Sequence, residues 1–312
     1  MHKFLLVILL HSSLFAWWDA GHMVVAQIAY ERLDPKVKTK VDRYVGAMGP
    51  VFSNSASFVT AACWADDISS LGLKAFASWH GSSMPYDPEG ILSPYKLNKL
   101  KNEVRGKDLT YALEQCVKTL THPRTNSWAK GLMLRFMIHF VGDIHQPLHC
   151  TTLYNSHFPD GDRAGTRFRI AGGTTLHNYW DSICGLGTWR LRRPLDDDGI
   201  RYINDLAEQA TSLYPEDSFP ELEEDANFTK WRDESFELAV AYAYPGIQPG
   251  KGLSPKYRAT AEQIALQQIA LAGYRLARVL NSSLSPLGIR SGGLPASLSR
   301  PAGHLQNFAP LQ

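Results

Sequence analysis

Apolar residues recur every three or four positions along most of this chain, the spacing that gives an α-helix one buried face. This pattern predicts helices over residues 22–33, 108–120, 127–146, 199–214, 230–244 and 261–280. The segment 127–146 is apolar nearly all round, so we expect it to be a central, buried helix. Only residues 166–173 suggest a short strand or hairpin. The pattern therefore predicts an all-α fold: a single, mainly helical domain with a short β-hairpin and long loops.

The two ends of the chain depart from this pattern. Residues 1–16 combine the positive charge of Lys3, an apolar run and small residues before Ala16, which is typical of a signal peptide cleaved after Ala16. The alternative is a membrane anchor, but the apolar run is too short to span a bilayer. Residues 286–312 are rich in Ser, Gly and Pro and predict a flexible tail, or else an extended tail docked on the domain. We therefore expect a folded domain over 17–285, in a secreted or periplasmic protein without a membrane anchor.

Charge and cysteine content narrow the class of protein. The chain of 312 residues has 32 Lys and Arg against 30 Asp and Glu, a formal charge of +2. This near-neutral balance argues against a broad basic surface for duplex nucleic acid, so a site for a polyanion needs local positive charge, for example from metal ions. The four cysteines allow two disulfides in three possible pairings, or are buried free thiols. None has the C-x-x-C spacing of a thiolate zinc site.

Residues 137–150 have the highest density of chemically active side chains. His139 and Asp143 are four positions apart, so a helix places both on one face. His149 follows shortly after, beyond a proline that ends the helix. His145 lies between these candidates, and we expect it to support the ligands rather than to bind metal.

His177 and Asp181 repeat the four-residue spacing further along the chain. A single His–Asp pair of this kind is more often a buried hydrogen bond than a metal site. Two such pairs together with His149 favour a metal site, because burying several titratable groups is costly without a charge partner. Imidazole and carboxylate groups on rigid helices are also the ligands that zinc takes in proteins.

Further candidate ligands lie upstream, and each is ambiguous by itself. Asp66 and Asp67 could cap a helix, and His80 could be an ordinary loop histidine. His22 lies five residues after Trp17, which becomes the new N-terminus if the chain is cleaved after the signal peptide.

Taken together, these residues resemble the trinuclear zinc nuclease and 3′-nucleotidase family, typified by the fungal S1- and P1-type nucleases. The resemblance rests on "WAD" ending at Asp66, "WH" ending at His80, "HFVGDIHQPLH" from 139, "LHNYWD" from 176 and the pair Trp17 and His22. It runs in order through most of the chain after the signal peptide and continues into "WRDESFELAVAYAYP" and "AGYRLARVLN". It implies the mainly helical fold shared by zinc phospholipases C and these nucleases.

The resemblance implies three zinc ions, each with its own ligands. The first would be held by Asp66, His80, His139 and Asp143. The second would be held by the amino nitrogen and carbonyl oxygen of Trp17, by His22 and by Asp143, which bridges the first two ions. The third would be held by His149, His177 and Asp181.

The implied activity is hydrolysis of a phosphoester by a zinc-bridging hydroxide, with Asp66 as the catalytic residue that orients it. The substrates would be single-stranded DNA and RNA, cut to 5′-phosphate products, and 3′-nucleotides. We expect a monomer. The alternative is a zinc-dependent phospholipase C, a related family that usually has Glu where this chain has Asp181 and that lacks the "NYWD" context. A zinc-storing or host-binding protein is disfavoured, because three adjacent sites with open coordination positions suit catalysis.

Three positions depart from the family pattern. Many relatives have Arg or Lys at the position of Ser69, where the cation faces the phosphate; here Lys74 is a candidate substitute. Gly81 stands where relatives often have an aromatic residue that stacks on a base, and 163–166, "RAGT", replaces a "GGN" loop. For the cysteines we favour a Cys150–Cys184 disulfide, because each follows a ligand of the third zinc.

Overall fold

The computed structural model describes residues 17–103, 106–183, 191–223 and 226–285. The described chain is mainly helical, which confirms the predicted class. The α-helices, in chain order, are α1 Asp19–Glu31, α2 Pro35–Gly46, α3 Phe58–Ala61, α4 Trp64–Ser70, α5 Pro94–Glu103, α6 Leu109–Thr121, α7 Ser127–Ile144, α8 Leu176–Asp181, α9 Asp197–Leu213, α10 Phe228–Leu238 and α11 Pro255–Leu284. A π-helical turn, Ala239–Ala243, extends α10. The strands are β1 Met84–Tyr86 and β2 Thr151–Leu153.

Capping side chains fix the starts of the helices that carry candidate ligands. The side chain of Asn126 accepts a hydrogen bond from the Ala129 N–H at 2.9 Å at the start of α7. Thr175 accepts one from the Asn178 N–H at 3.2 Å at the start of α8. After α7, Pro147 begins the 3₁₀ helix Pro147–Cys150, because proline suits a first helical position but not a helix interior.

Helix α7 is the centre of the fold. Every residue from Leu134 to Ile144 is buried, as the apolar sequence predicts, and α7 packs against α1, α2, α6 and α11. Even its cation Arg135 is fully buried, where Nη2 donates hydrogen bonds to the carbonyl oxygens of Val45 at 3.1 Å and Ser55 at 3.0 Å. The C-terminal half of α7 therefore lies in the interior of the protein.

Helices α1 and α11 cross at very short range. A Cβ atom at Gly273 on α11 would lie 2.5 Å from the Cβ of Ile28 on α1, so only glycine permits this approach. Helix α1 also packs against α9 and α7, so it is held on several sides. This packing holds His22, in the first half of α1, beside α7.

The strands are not where the sequence pattern places them. β1 and β2 pair in parallel, with Met84 opposite Thr151. At residues 166–173, where the sequence suggests a short strand or hairpin, the pairing is limited to an isolated antiparallel bridge between Arg169 and Thr175 across a tight turn. Strands of three residues are too short to show the alternation from which strands are predicted.

Several expectations concern residues outside the described ranges: the signal peptide at 1–16, the tail at 286–312, and Cys184 as partner of Cys150. Among the described cysteines, Cys63, Cys116 and Cys150 are buried and no disulfide joins any two of them. Within the described ranges, no helix is both long enough and apolar enough to cross a membrane.

Candidate metal centre

Helix α7 places two of the predicted ligands one turn apart in the core. His139 and Asp143 are both fully buried. Nε2 of His139 lies 3.4 Å from Oδ2 of Asp143, and its Nδ1 donates a hydrogen bond to the carbonyl oxygen of Ala62 at 2.6 Å. That carbonyl holds a proton on Nδ1, so Nε2 is the ring nitrogen that faces the centre and that would bind a metal ion once it has lost its own proton.

Two neighbouring segments bring Asp66 and His80 to this pair. Asp66 lies on α4, and His80 ends the 3₁₀ helix Lys74–His80. Nδ1 of His80 lies 3.1 Å from Oδ2 of Asp143 and 3.5 Å from Oδ1 of Asp66. Oδ1 of Asp66 is also 3.5 Å from Nε2 of His139. Two imidazoles and two carboxylates therefore converge at one end of α7.

His22, on α1, reaches the other oxygen of the Asp143 carboxylate. Its Nε2 lies 3.4 Å from Oδ1 of Asp143, whereas His80 and His139 face Oδ2. The His22 ring stacks on that of His139, with centroids 3.9 Å apart. Gly142 makes room for it, since a Cβ there would lie 2.7 Å from Nδ1 of His22. The two oxygens of Asp143 are thus oriented toward different imidazoles, the arrangement of a bridging carboxylate.

The backbone at the start of the domain lies beside the same centre. Trp17 is fully buried, and its indole Nε1 donates a hydrogen bond to the carbonyl oxygen of Gly142 at 3.0 Å. The N–H of Trp18 donates to the carbonyl oxygen of Asp181 at 3.1 Å. These two bonds hold the Trp17 backbone between α7 and α8.

His149, His177 and Asp181 form a further group, whose ligand atoms lie within 4.8 Å of one another. Nε2 of His177 lies 3.3 Å from Oδ2 of Asp181, one turn later on α8. Nδ1 of His177 donates to the carbonyl oxygen of Ala164 at 2.7 Å, and Nδ1 of His149 donates to that of His80. Both imidazoles therefore present Nε2 to the group.

The charges of His139 and Asp143 stabilise each other. Burial alone lowers the pKa of His139, but the carboxylates of Asp143 and Asp66 outweigh burial and raise this pKa to about 9. Burial likewise raises the pKa of Asp143, but the charge of the neighbouring His139 holds it well below its usual range. Asp143 is therefore ionised in the core.

The group of His149, His177 and Asp181 has no such pair of opposite charges that stabilise each other. Burial lowers the pKa of His149 and lowers that of His177 to about 3, so both imidazoles are neutral. Burial also raises the pKa of Asp181 well above its usual range. An ionised Asp181 therefore requires an added positive charge, which a metal cation would provide.

Unpartnered polar atoms test whether metal ions fit here. Both carboxylate oxygens of Asp143, Oδ2 of Asp181 and Nε2 of His149 are buried without a hydrogen bond. A buried polar atom left in this state costs roughly 1–3 kcal/mol, so an internal cluster of them calls for a ligand. Imidazole nitrogens and carboxylate oxygens are common ligands of divalent transition metals. The residues therefore fit a cluster of such ions.

A family model described as S1/P1 nuclease matches residues 17–285. The chain belongs to the S1/P1 nuclease family. The protein is accordingly a nuclease, a hydrolase that acts on ester bonds of nucleic acids, as the sequence analysis predicted. S1/P1 nucleases are generally metal-dependent, in agreement with the groups of His and Asp at the end of α7.

Named relatives agree with this membership. The chain is 25% identical to Endonuclease 3 of Arabidopsis thaliana over 289 residues, which cover 88% of this chain and 91% of the relative. It is 31% identical to Endonuclease 4 of the same plant over 159 residues, 49% of this chain and 50% of the relative. It is 23% identical to Nuclease P1 of Penicillium citrinum over 282 residues, 85% of this chain and 97% of the relative.

The structure of this S1/P1 nuclease brings all the predicted site residues into one region. Eight His and Asp side chains form three groups, two of which share His139. The backbone of Trp17 lies beside them. The grouping places His22 with Asp66 and His139, in addition to its contact with Asp143.

Gly142, which shapes the space for His22, is a site residue that the sequence pattern did not single out. The available signal was a glycine inside a buried helix, since glycine there costs about 1 kcal/mol relative to alanine and usually has a packing reason. His145 supports α7 rather than a ligand side chain. Its Nδ1 donates to the carbonyl oxygen of Val141 at 2.7 Å, and its Nε2 lies 2.9 Å from Nη1 of Arg275.

Replacing Asp143 by asparagine tests its bridging position. We expect Asp143→Asn to lose roughly two metal ions per chain, because a neutral amide removes the charge shared by both groups that it faces. Nearly all nuclease activity should be lost, while the helical far-UV circular dichroism signal is kept. Metal content is measured on dialysed protein by inductively coupled plasma mass spectrometry.

The matched control is Asp42→Asn, at an exposed acid that is bonded to the hydroxyl of Tyr30 and belongs to none of the candidate metal groups. It should keep its metal and its activity. A fully metal-loaded Asp143→Asn with near-normal turnover would contradict the bridging position.

Proposed function

We propose that this S1/P1 nuclease holds three zinc ions and hydrolyses single-stranded DNA and RNA to 5′-phosphate products, and that it also removes the 3′-phosphate of nucleotides. The observation that carries the proposal is the Asp143 carboxylate, whose Oδ1 faces His22 and whose Oδ2 faces His80 and His139. A carboxylate placed in this way suits two adjacent cations, and paired cations are typical of enzymes that cleave phosphoesters.

The donor atoms favour zinc over other common ions. The groups offer imidazole nitrogens and carboxylate oxygens, the nonsulfur ligands that zinc prefers. Magnesium and calcium prefer sites made of oxygen alone. The pattern by which Nδ1 donates to a backbone carbonyl, as in His139 and His177, is also typical of zinc-binding histidines.

We assign the ligands of the three ions as the family resemblance implies. Asp66, His80, His139 and Asp143 hold the first. Asp143, His22 and the amino nitrogen and carbonyl oxygen of Trp17 hold the second. His149, His177 and Asp181 hold the third.

When bound, zinc ions would lower the pKa of water toward neutrality and offset the negative charge of a phosphoester. We assign to Asp66 the role of orienting the attacking water, through a hydrogen bond that its carboxylate accepts. Its carboxylate is almost fully buried at the end of the cluster, with Oδ1 3.5 Å from both His80 and His139.

Lys74 supplies a cation at the position where Ser69 departs from the family pattern. Its Nζ donates a hydrogen bond to Oγ of Ser69 at 3.2 Å. Ser69 lies one turn after Asp66 on α4, so this ammonium group is on the same face of the helix as the metal ligand. We propose that Lys74 contacts the phosphate and stabilises its charge in the transition state.

The start of the mature chain forms part of the second zinc site in this proposal. Cleavage after Ala16 would create an α-amine on Trp17, whose backbone is held between α7 and α8 by the bonds to Gly142 and Asp181. An α-amine has a pKa of about 7.7–8.0 and binds metal once deprotonated, whereas the amide of an uncleaved chain does not. Export and processing would therefore switch the enzyme on.

A substrate panel tests the proposed function. We expect the zinc-loaded protein to cleave single-stranded DNA and RNA and to release phosphate from a 3′-nucleotide, with no turnover of phosphatidylcholine. Chelation of the metal should abolish each activity, and added zinc should restore it. Hydrolysis of phosphatidylcholine without cleavage of nucleic acid would favour the phospholipase C alternative, although the relatives compared above are all named as nucleases or endonucleases.

The α-amine is tested by comparing protein that begins at Trp17 with protein that carries one extra alanine before it. The extended form should bind about one zinc ion fewer and turn over substrate much more slowly, because its amide nitrogen cannot readily donate to a metal. Removal of the alanine by an aminopeptidase should restore both properties. Equal zinc content and equal rates in the two forms would contradict the assignment of the Trp17 α-amine as a zinc ligand.

Lys74→Met tests the phosphate contact. Its kcat/KM on a phosphodiester should fall about tenfold, the equivalent of roughly 1.4 kcal/mol for one charge-assisted hydrogen bond at an exposed site. Adding Ser69→Arg to this variant should restore the rate, whereas Ser69→Arg alone should add little. Lys99→Met, at an exposed lysine paired with Glu103, is the control. An unchanged rate in Lys74→Met would exclude the contact.

A further inference from the structure

Gln146 is a buried glutamine that lies between the metal-ligand groups and is not itself one of the proposed ligands. It follows α7 by two residues and its side chain is 0% exposed. It is also the N-cap of the 3₁₀ helix Pro147–Cys150, which carries His149. Burying an amide costs free energy unless the amide is hydrogen-bonded, so a glutamine here is expected to have specific partners.

The Gln146 amide makes two short hydrogen bonds, one through its nitrogen and one through its oxygen. Nε2 donates to Oδ1 of Asp181 at 2.6 Å. Oε1 accepts from the backbone N–H of Leu148 at 2.5 Å, which caps the 3₁₀ helix. These two bonds fix the orientation of the amide, because the end that meets the carboxylate has to be the donor.

The backbone of Gln146 is bonded to ligand residues as well. Its N–H donates to the carbonyl oxygen of Asp143 at 3.0 Å, and its carbonyl accepts from the N–H of His149 at 3.0 Å. One residue thus connects Asp143 on α7, His149 on the 3₁₀ helix and Asp181 on α8. These three ligands belong to more than one of the metal groups.

The hydrogen bond from Gln146 makes the two oxygens of the Asp181 carboxylate different in their surroundings. Oδ1 is occupied by the amide of Gln146, whereas Oδ2 is buried without a hydrogen bond and lies 3.3 Å from Nε2 of His177. Nε2 of His149 is also buried without a hydrogen bond. Oδ2 is therefore the oxygen available to a cation, together with the Nε2 atoms of the two histidines.

We propose that Gln146 is a positioning residue of the third zinc site: its amide occupies one oxygen of Asp181 and so makes Asp181 a ligand through the other oxygen alone. This inference rests on the proposed function. A neutral amide suits the task, because it donates a hydrogen bond to the carboxylate without carrying a charge that would compete with the metal ion. It also ties the third site to the end of α7, which carries the bridging Asp143.

Gln146→Glu and Gln146→Leu separate this role from that of a helix cap. Gln146→Glu keeps an oxygen that can accept from the Leu148 N–H but removes the N–H donor to Asp181, whereas Gln146→Leu removes both. If Gln146 acts only as a cap, Gln146→Glu behaves like wild type. If it positions Asp181, both variants are impaired. Gln268→Leu, at a buried glutamine on α11, controls for the loss of a buried amide.

The measurement is zinc content and zinc affinity of the purified proteins, in dialysis against buffers of defined free zinc. We expect both Gln146 variants to lose about one zinc ion per chain, with roughly 10–100-fold weaker affinity for that ion, as is typical when a residue that supports a metal ligand is changed. The other two ions should stay bound. Wild type and Gln268→Leu should hold all three.

A double-mutant cycle with Asp181→Ala completes the test and guards against general destabilisation. In the Asp181→Ala protein the third site is already lost, so Gln146→Glu should change zinc binding no further. A Gln146→Glu protein that binds three zinc ions with wild-type affinity would overturn the inference and leave the proposed function intact. A wild-type protein that binds no zinc would overturn both.

Discussion

The charge of Asp143, buried in the central apolar helix α7, is the constraint around which the rest of the described structure is organised. An isolated carboxylate in such a place is strongly unfavourable, and removing the partners of a buried charge costs several kcal/mol. The fold meets this constraint by directing the imidazoles of His22, His80 and His139 onto the two oxygens of Asp143. Helix α1 and the 3₁₀ helix before β1 carry two of these histidines, so the packing of both elements against α7 also serves this carboxylate.

Backbone carbonyl groups hold the imidazoles in place. His139, His149 and His177 each donate Nδ1–H to a main-chain oxygen, which sets both the tautomer and the angle of the ring. The carbonyl for His177 comes from Ala164, in a loop where Ala164 has a φ of 57°. This left-handed backbone, unusual for alanine, turns the carbonyl toward the ring. The "RAGT" segment thus positions the imidazole of His177, a candidate metal ligand.

Much of the fold and of the centre was predictable because both rest on spacing. The long apolar segment 127–146 became α7, and the pairs His139–Asp143 and His177–Asp181 lie on helices as their four-residue spacing predicts. Helix α5 was not predicted because none of its residues is buried, so it has no apolar face to detect.

Other features depend on contacts between distant segments, which spacing does not encode. The carbonyl partners of the histidines are backbone atoms, so no residue type marks them. The ammonium group of Lys74 reaches Ser69 only because the chain turns between α4 and the following 3₁₀ helix. The strands β1 and β2 are too short to show an alternation, and they come from distant parts of the sequence.

The small parallel sheet has a consequence for how the protein would release its ions. β1 begins four residues after His80, β2 begins two residues after His149, and the Ser82 N–H bonds to the carbonyl oxygen of His149 at 2.9 Å. A local opening of this sheet would withdraw a ligand from two metal groups at once. A chelator that acts through this opening would therefore draw on both groups of the intact site together, unlike a substitution that weakens a single ligand.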